Sequence, residues 1–365
     1  MKIVYNHRVF WNQRYGGISR YHVRLAEELY TLGEDIRIIA PFHRNEFLKE
    51  APGCIVKGKY LKKDPDKTKI FYEVYNRLFF ENYIRIQRPD IVHETYYSPG
   101  LSAPRGMPII ITVHDMTHEL FPEEFVENDK NSKNKCVTVN RADHIICISQ
   151  NTKKDLIRLF NVPEQKISVV YNGYEYLDVS DQEGMLNFSF PYLLFVGSRY
   201  NYKNFDRLLE AYESSKLLKN DFKLIAFGGG DFTPSELHKI KEYGLTEKVM
   251  QVSGDDHLLG NLYKHASALI YPSLYEGFGM PPLEAMAQNC PVIASNTSSI
   301  PEVVGNAGEL FDPLDIDSMR YSIEKVLYSD HLRDKLINLG HKQIKLFSWE
   351  KCAIETRKVY QKVIG

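Results

Sequence analysis

The chain has 365 residues, 43% hydrophobic and 25% charged, proportions that suit two globular domains with real cores. Its 46 Lys and Arg against 47 Asp and Glu leave a formal net charge of −1, which excludes an overall field able to hold nucleic acid or a membrane by charge alone. Five cysteines (Cys54, Cys136, Cys147, Cys290 and Cys352), an odd number with no CxxC spacing, exclude a disulfide framework or a zinc cage and point to a reducing compartment.

Met1-Lys2-Ile3-Val4-Tyr5-Asn6 turns polar too early for a signal peptide. No window approaches the ~20 apolar residues of a spanning helix. A cytoplasmic protein is expected, with at most a weak peripheral contact to a membrane surface.

Lys2–Tyr5 reads as a strand, and Ile18, Tyr21, Leu25, Leu29 and Leu32 recur at helical spacing before the stop at Gly33. Strands are predicted at Ile36–Ala40, Ile91–His93, Ile109–Val113, His144–Ile148 and Ile167–Tyr171, with helices at Phe71–Gln87 and Thr152–Phe160. Between them, Lys57 to Lys69 holds six lysines and reads as a solvated basic loop; beside Phe71, Tyr72, Phe79, Phe80 and Tyr83 it also suits an anionic membrane surface. Asp178 to Phe190 is polar and reads as a linker. The pattern restarts with strands at Tyr192–Val196, Phe222–Phe227, Val249–Val252, Leu269–Tyr271 and Val292–Ala294, and from Ser318 onward only helices are predicted. Strands alternating with helices argue for two doubly wound parallel sheets, which bind ligands outside the carboxyl ends of their strands.

The loops after those strands carry the chemistry. Tyr271-Pro-Ser-Leu-Tyr-Glu276-Gly277-Phe278-Gly279-Met280-Pro-Pro-Leu283-Glu284 runs from a strand end into a helix start near Pro281. Glycines let backbone approach a ligand, and free amides around Gly279 to Leu283 suit a phosphate. Glu276 and Glu284 flank that site and suit sugar hydroxyls; the bland alternative makes one a loop charge and the other a complement to the helix dipole. Gly197-Ser-Arg199-Tyr-Asn-Tyr-Lys203-Asn204 is a second strand-end loop, whose two cations could neutralise a diphosphate or simply be solvated. Asn204 is read as a helix cap. Gly16 and Gly17 allow close backbone approach in the first domain, as do Gly228, Gly229 and Gly230 in the second. Val252-Ser253-Gly254 ends another strand. His114 and Asp115 emerge at a strand's carboxyl end, as do His93, Glu94, Tyr96 and Tyr97, which suit a sugar or a lipid-linked acceptor or else ordinary packing. No HExxH, DxD or Cys/His cluster has metal-ligand spacing, so neither a metal nor another cofactor is expected. The pair Asp255-Asp256 reads as a helix cap.

Glu276 and Glu284, with seven residues between them, resemble the E-x7-E motif of retaining glycosyltransferases with the GT-B fold. Together with Ala142-Asp143, Ser149 and Tyr171-Asn172-Gly173 they make nearly the whole chain resemble glycosyltransferase family 4, and within it the mannosyltransferase branch. The resemblance implies two Rossmann-like domains facing a cleft, 1–180 on the acceptor side and 181–348 for the nucleotide-sugar, with a final helix 349–365 returning to the first. It implies that Glu276 binds donor-sugar hydroxyls and Glu284 the ribose. Gly277, Phe278, Gly279, Met280 and Leu283 would hold sugar and phosphate by their backbone. Arg199 and Lys203 would neutralise the diphosphate, helped by Gly16, Gly17, Gly197 and Gly229, and His114 would lie near the reacting carbon. Arg199 stands one residue later than the family's commonest position. The implied activity is metal-independent, retaining transfer of a hexose to a glycan or lipid-linked saccharide, with GDP-mannose ahead of UDP-sugars as donor. The rival readings are a sugar-nucleotide epimerase of the same fold and a non-catalytic two-lobe sugar-binding protein.

Overall fold

The computed structural model describes residues 1–365 apart from 64, 66, 67, 101, 102, 105, 126–129 and 180–187. It divides into two compact units, Met1–Gly173 with Ser348–Gly365, and Tyr174–Phe347. The expected boundary at 180/181 and most of the expected linker, Gly184 included, lie outside the described residues. Leu177 is nevertheless buried in the second unit, where its carbonyl accepts from the Gln288 side chain at 2.6 Å.

The first unit holds strands β1 (Lys2–Tyr5), β2 (Asp35–His43), β3 (Val56–Tyr60), β4 (Ile91–Glu94), β5 (Ile109–Val113), β6 (His144–Cys147) and β7 (Ile167–Val169). They form one parallel sheet in the order β3-β2-β1-β4-β5-β6-β7. The central strands are β-branched and buried on both faces, as helix-covered parallel strands must be. β3 was not expected: its sequence Val-Lys-Gly-Lys-Tyr carries Lys57 and Lys59 outward on a sheet edge, so it read as loop. Lysines on an edge strand block pairing with another chain, and their composition hides the strand. Lys67 of that basic run lies outside the described residues.

The closing helix, Trp349–Ile364, is capped by the Ser348 hydroxyl, which accepts from the Lys351 amide. It packs on the helix Gly17–Thr31, placing Cys352, Ala353, Val359 and Tyr360 in one core with Tyr5, Tyr21, Leu25 and Leu29. The Tyr360 hydroxyl bonds the Tyr5 hydroxyl at 2.9 Å and His93 Nδ1 at 2.6 Å. At the point of return, a Cβ on Gly173 would lie 2.3 Å from the Trp349 backbone nitrogen, so no larger residue fits there.

The second unit holds β8 (Tyr192–Val196), β9 (Lys223–Phe227), β10 (Val249–Val252), β11 (Ala268–Tyr271), β12 (Val292–Ser295) and β13 (Gly308–Phe311). This parallel sheet runs β10-β9-β8-β11-β12-β13. β13 was also missed, because only Phe311 of its four residues is buried. Both sheets are doubly wound, of the GT-B type.

Candidate functional site

The order of the second sheet reverses between β8 and β11, which pair directly. Loops leaving two such strands turn to opposite faces and leave a crevice outside their carboxyl ends. The loop after β8 begins at Gly197, whose φ of +136° suits glycine. It continues through a turn at Asn201–Lys203 to Asn204, at φ +61°. Asn204 stands at the helix start, but its side chain caps nothing. Its amide instead donates to the carbonyls of Pro272 (3.0 Å) and Pro313 (2.8 Å), tying this loop to the one after β11. Leu274 N donates to Tyr202 O at 2.7 Å and strengthens the tie.

Those ties bring Lys203 to Glu276: Nζ and Oε1 are 2.7 Å apart, and the side chains are only 15% and 12% exposed. The Glu276 backbone is held from a third loop. Ser298 Oγ accepts from Glu276 N at 2.9 Å, and Ser299 Oγ donates to Glu276 O at 2.8 Å and to Phe278 O at 2.9 Å. The Tyr271 hydroxyl is pushed well above its ordinary range by burial and then by the Glu276 carboxylate, so it remains a donor. Gly279 follows at φ +107°, a conformation open to glycine, and the helix Met280–Ala287 begins. Pro281 and Pro282 carry no N–H, so the donors this helix start offers are the amides of Gly279 and Met280. One turn on, Glu284 is buried and accepts from the Tyr263 hydroxyl at 3.1 Å. Phe278 and Leu283 are buried, and Phe278 packs edge-on against Phe347.

Arg199 does not stand as a free cation. Its Nε donates to Glu236 Oε1 at 2.6 Å. Nη1 donates to Gly228 O (2.8 Å), and Nη2 donates to Gly230 O and Asp231 O (both 2.9 Å). The guanidinium also lies over the Phe232 ring. It is therefore the brace of the turn after β9, in which Gly228, Gly229 and Gly230 all take positive φ. A Cβ at Gly229 would meet Arg199 Nη1 at 2.7 Å.

In the first unit, Gly16 and Gly17 open the helix Gly17–Thr31. Ser19 Oγ donates to Gly16 O at 2.9 Å, and Gln13 fills the space a Cβ on Gly16 would need. His114 is buried edge-on to Tyr21, with no protein partner for Nε2 among the described residues. Burial lowers its imidazole to about 4, with Lys135 adding to the effect against Asp115. His93 bonds Tyr360 and Thr112 through its two nitrogens and belongs to the core. The structure thus brings together Lys203, Glu276, Gly279 and Met280, and turns Arg199 to a neighbouring turn. Asp255 caps the helix Asp256–His265 by accepting from Leu258 N. Sequence reasoning missed Ser298 and Ser299; the run Ser298-Ser299-Ile300-Pro301, hydroxyls before a proline-opened helix, was the available signal.

Residues 15–176 match the profile of glycosyltransferase family 4, and residues 181–343 that of the glycosyl transferases group 1. O-antigen chain mannosyltransferase B of Escherichia coli is 29% identical, covering 94% of this chain and 96% of its own length. An uncharacterized glycosyltransferase of Methanocaldococcus jannaschii is 30% identical over 95% of each. Among solved structures, sucrose-phosphate synthase from Thermosynechococcus elongatus superposes with a TM-score of 0.74 at 20% identity, covering 99% of this chain and 98% of that one, a likeness of fold.

Proposed function

We propose that this chain, which belongs to glycosyltransferase family 4, transfers a hexose from a nucleotide-sugar to a glycan or lipid-linked acceptor, with retention and without a bound metal. The observation that carries the reading is the Lys203–Glu276 pair at the switch point of the second sheet, beside the helix start at Gly279. Two backbone amides and two carboxylates of one loop–helix unit, with a cation from the neighbouring loop, suit a diphosphate, a sugar and a ribose. The donor we favour is GDP-mannose, supported by the mannosyltransferase named among the relatives.

In this reading Lys203 leaves Glu276 for the diphosphate when the donor binds, and Glu276 turns to the sugar hydroxyls. Glu284 takes the ribose. The acceptor oxygen bonds the anomeric carbon as its bond to the diphosphate breaks, on the same face, and the hydroxyl proton leaves with the phosphate oxygen. Lys203 and the amides of Gly279 and Met280 stabilise the departing charge, a preorganised electrostatic role. Arg199 shapes the glycine turn and acts on the donor through it.

The test is thermal stability of the full chain against GDP, UDP, dTDP and ADP and their sugars, with EDTA present. A ligand that binds only the folded state adds about 2.7 kcal/mol at a hundredfold excess over Kd. A rise with GDP and GDP-mannose is expected. A rise with UDP alone overturns the donor assignment, and none with any nucleotide overturns the site.

A further inference from the structure

Three successive hydroxyls follow the end of β12, and all of them grip the glycine loop after β11, the parallel neighbour of that strand. Thr297 Oγ1 donates to Leu274 O at 3.1 Å, and Ser298 Oγ accepts from Glu276 N at 2.9 Å. Ser299 Oγ shares its proton between Glu276 O at 2.8 Å and Phe278 O at 2.9 Å. We propose that this turn aims the groups that meet the donor, with Ser298 and Ser299 as positioning residues: Ser298 sets the carboxylate of Glu276, and Ser299 sets the amide of Gly279. The inference rests on the glycosyltransferase reading and adds to that site the residues that orient it.

Both serines forgo what their local backbone would favour. Ser298 stands at φ +54°, a left-handed conformation that side chains other than asparagine and aspartate adopt at a cost. The other non-glycine residues at positive φ among the described residues are three asparagines and Arg88, which closes the helix Lys69–Gln87. Ser298 is neither an asparagine nor a helix end, and what its conformation yields is the bond to Glu276 N. Ser299 occupies the cap position of the helix Ile300–Val304, yet its buried side chain caps nothing and turns to the glycine loop. Two local rules broken side by side in favour of one loop mark a functional constraint. Held at both its amide and its carbonyl, Glu276 keeps its main chain fixed, so its carboxylate passes from Lys203 to a sugar by rotation about side-chain bonds alone. Phe278 O and Gly279 N belong to one planar peptide unit. With that carbonyl turned to Ser299, the amide points away from it and is fixed in direction before a diphosphate arrives.

The test is titration calorimetry beside thermal melting on the full chain, with GDP and GDP-mannose, or with UDP and UDP-glucose where the nucleotide panel selects UDP. Ser298→Gly removes the hydroxyl and relieves the left-handed strain, so it should melt close to the unaltered chain. It should bind the nucleotide within about twofold of normal, yet the nucleotide-sugar roughly three- to tenfold more weakly, the scale of one lost hydrogen bond. In a Glu276→Ala background, where no carboxylate remains to be aimed, the same substitution should leave nucleotide-sugar affinity within about twofold. Ser299→Ala should weaken nucleotide and nucleotide-sugar alike, because the Gly279 amide serves the diphosphate they share. A Ser298→Gly chain that loses stability and both affinities together has a merely structural turn, and the inference falls. It falls also if nucleotide-sugar affinity is undiminished in Ser298→Gly, if the loss is as large without Glu276, or if Ser299→Ala keeps full nucleotide affinity. Absence of any nucleotide-induced thermal shift in the unaltered chain instead overturns the reading on which the inference rests.

Discussion

Removing Lys203 and removing the charge of Glu276 are predicted to move nucleotide affinity in opposite directions. In the ligand-free chain the two neutralise each other at 2.7 Å, and neither is more than 15% exposed. If Lys203 is the diphosphate cation, Lys203→Ala deletes a charge-assisted contact, roughly 1.5–3 kcal/mol, so GDP should bind roughly 10- to 100-fold more weakly. Turnover should fall further, on the order of 10²–10³, because that charge is most useful as the leaving group departs. Glu276→Gln frees Lys203 from its competitor, so GDP alone should bind a few-fold more tightly, the scale of an ion pair near a surface. GDP-mannose should gain less or lose affinity, because its sugar loses a carboxylate acceptor. Titration calorimetry with GDP and with GDP-mannose separates the two effects, and near-UV circular dichroism checks the fold. A pair that is only structural gives another pattern: both substitutions lower the melting temperature and shift GDP affinity in the same direction or not at all. That pattern, or a natively folded Lys203→Ala enzyme within about threefold of normal turnover, refutes the argument.

Arg199→Lys should not rescue Arg199→Ala, because an ammonium cannot reach Glu236 and three carbonyls at once. Both variants should lose roughly 1–3 kcal/mol in urea unfolding, and unchanged midpoints would contradict the bracing role. Stability should also fall on acidification. His114 and His93 are held at about 4 and about 3 by burial, below the ordinary 6.5, so the unfolded chain binds protons first. Their contribution is whole above about pH 7 and declines as pH falls from about 6.5 toward 4. A melting temperature that stays level or rises from about pH 7.5 to 5 would contradict this. The helix Lys69–Gln87 exposes Ile70, Phe71, Val74, Tyr75 and Leu78 along one side, and Lys57 of β3 lies over its Phe79 and Tyr83 rings, with Lys59 exposed two residues on. No helix among the described residues is long and apolar enough to cross a membrane. We predict sedimentation with anionic vesicles more than with zwitterionic ones, at about 1 kcal/mol per basic residue near the surface. Phe71→Ser combined with Leu78→Ser should weaken it, and equal sedimentation with both vesicle types would count against the contact.

The strand–loop–helix order was legible because each central strand is a short apolar run between turn signals, β-branched at Ile109–Val113 and built of aromatic and leucine side chains at Tyr192–Val196. β3 and β13 were not, since an edge strand buries little and needs no apolar run. In the second-unit site, the glycine loop with Glu276 and Glu284 was legible as a pattern, but its pairings were not. Lys203 and Glu276 stand 73 residues apart, and Arg199 and Glu236 stand 37 apart. Local reasoning sees a cation in a strand-end loop and cannot tell one that meets a carboxylate at the switch point from one that braces the next turn. Strand order makes that distinction: β8 lies between β11 and β9, so its loop has one neighbour on each side, and Lys203 turns to one while Arg199 turns to the other.

The polar features of the first unit were harder to read: its switch point lies at the ends of β1 and β4, yet Glu73, Arg77 and Glu81 beside it come from a helix that the sequence marks by its aromatic residues, and nothing local marks Arg8, one cation after a short strand.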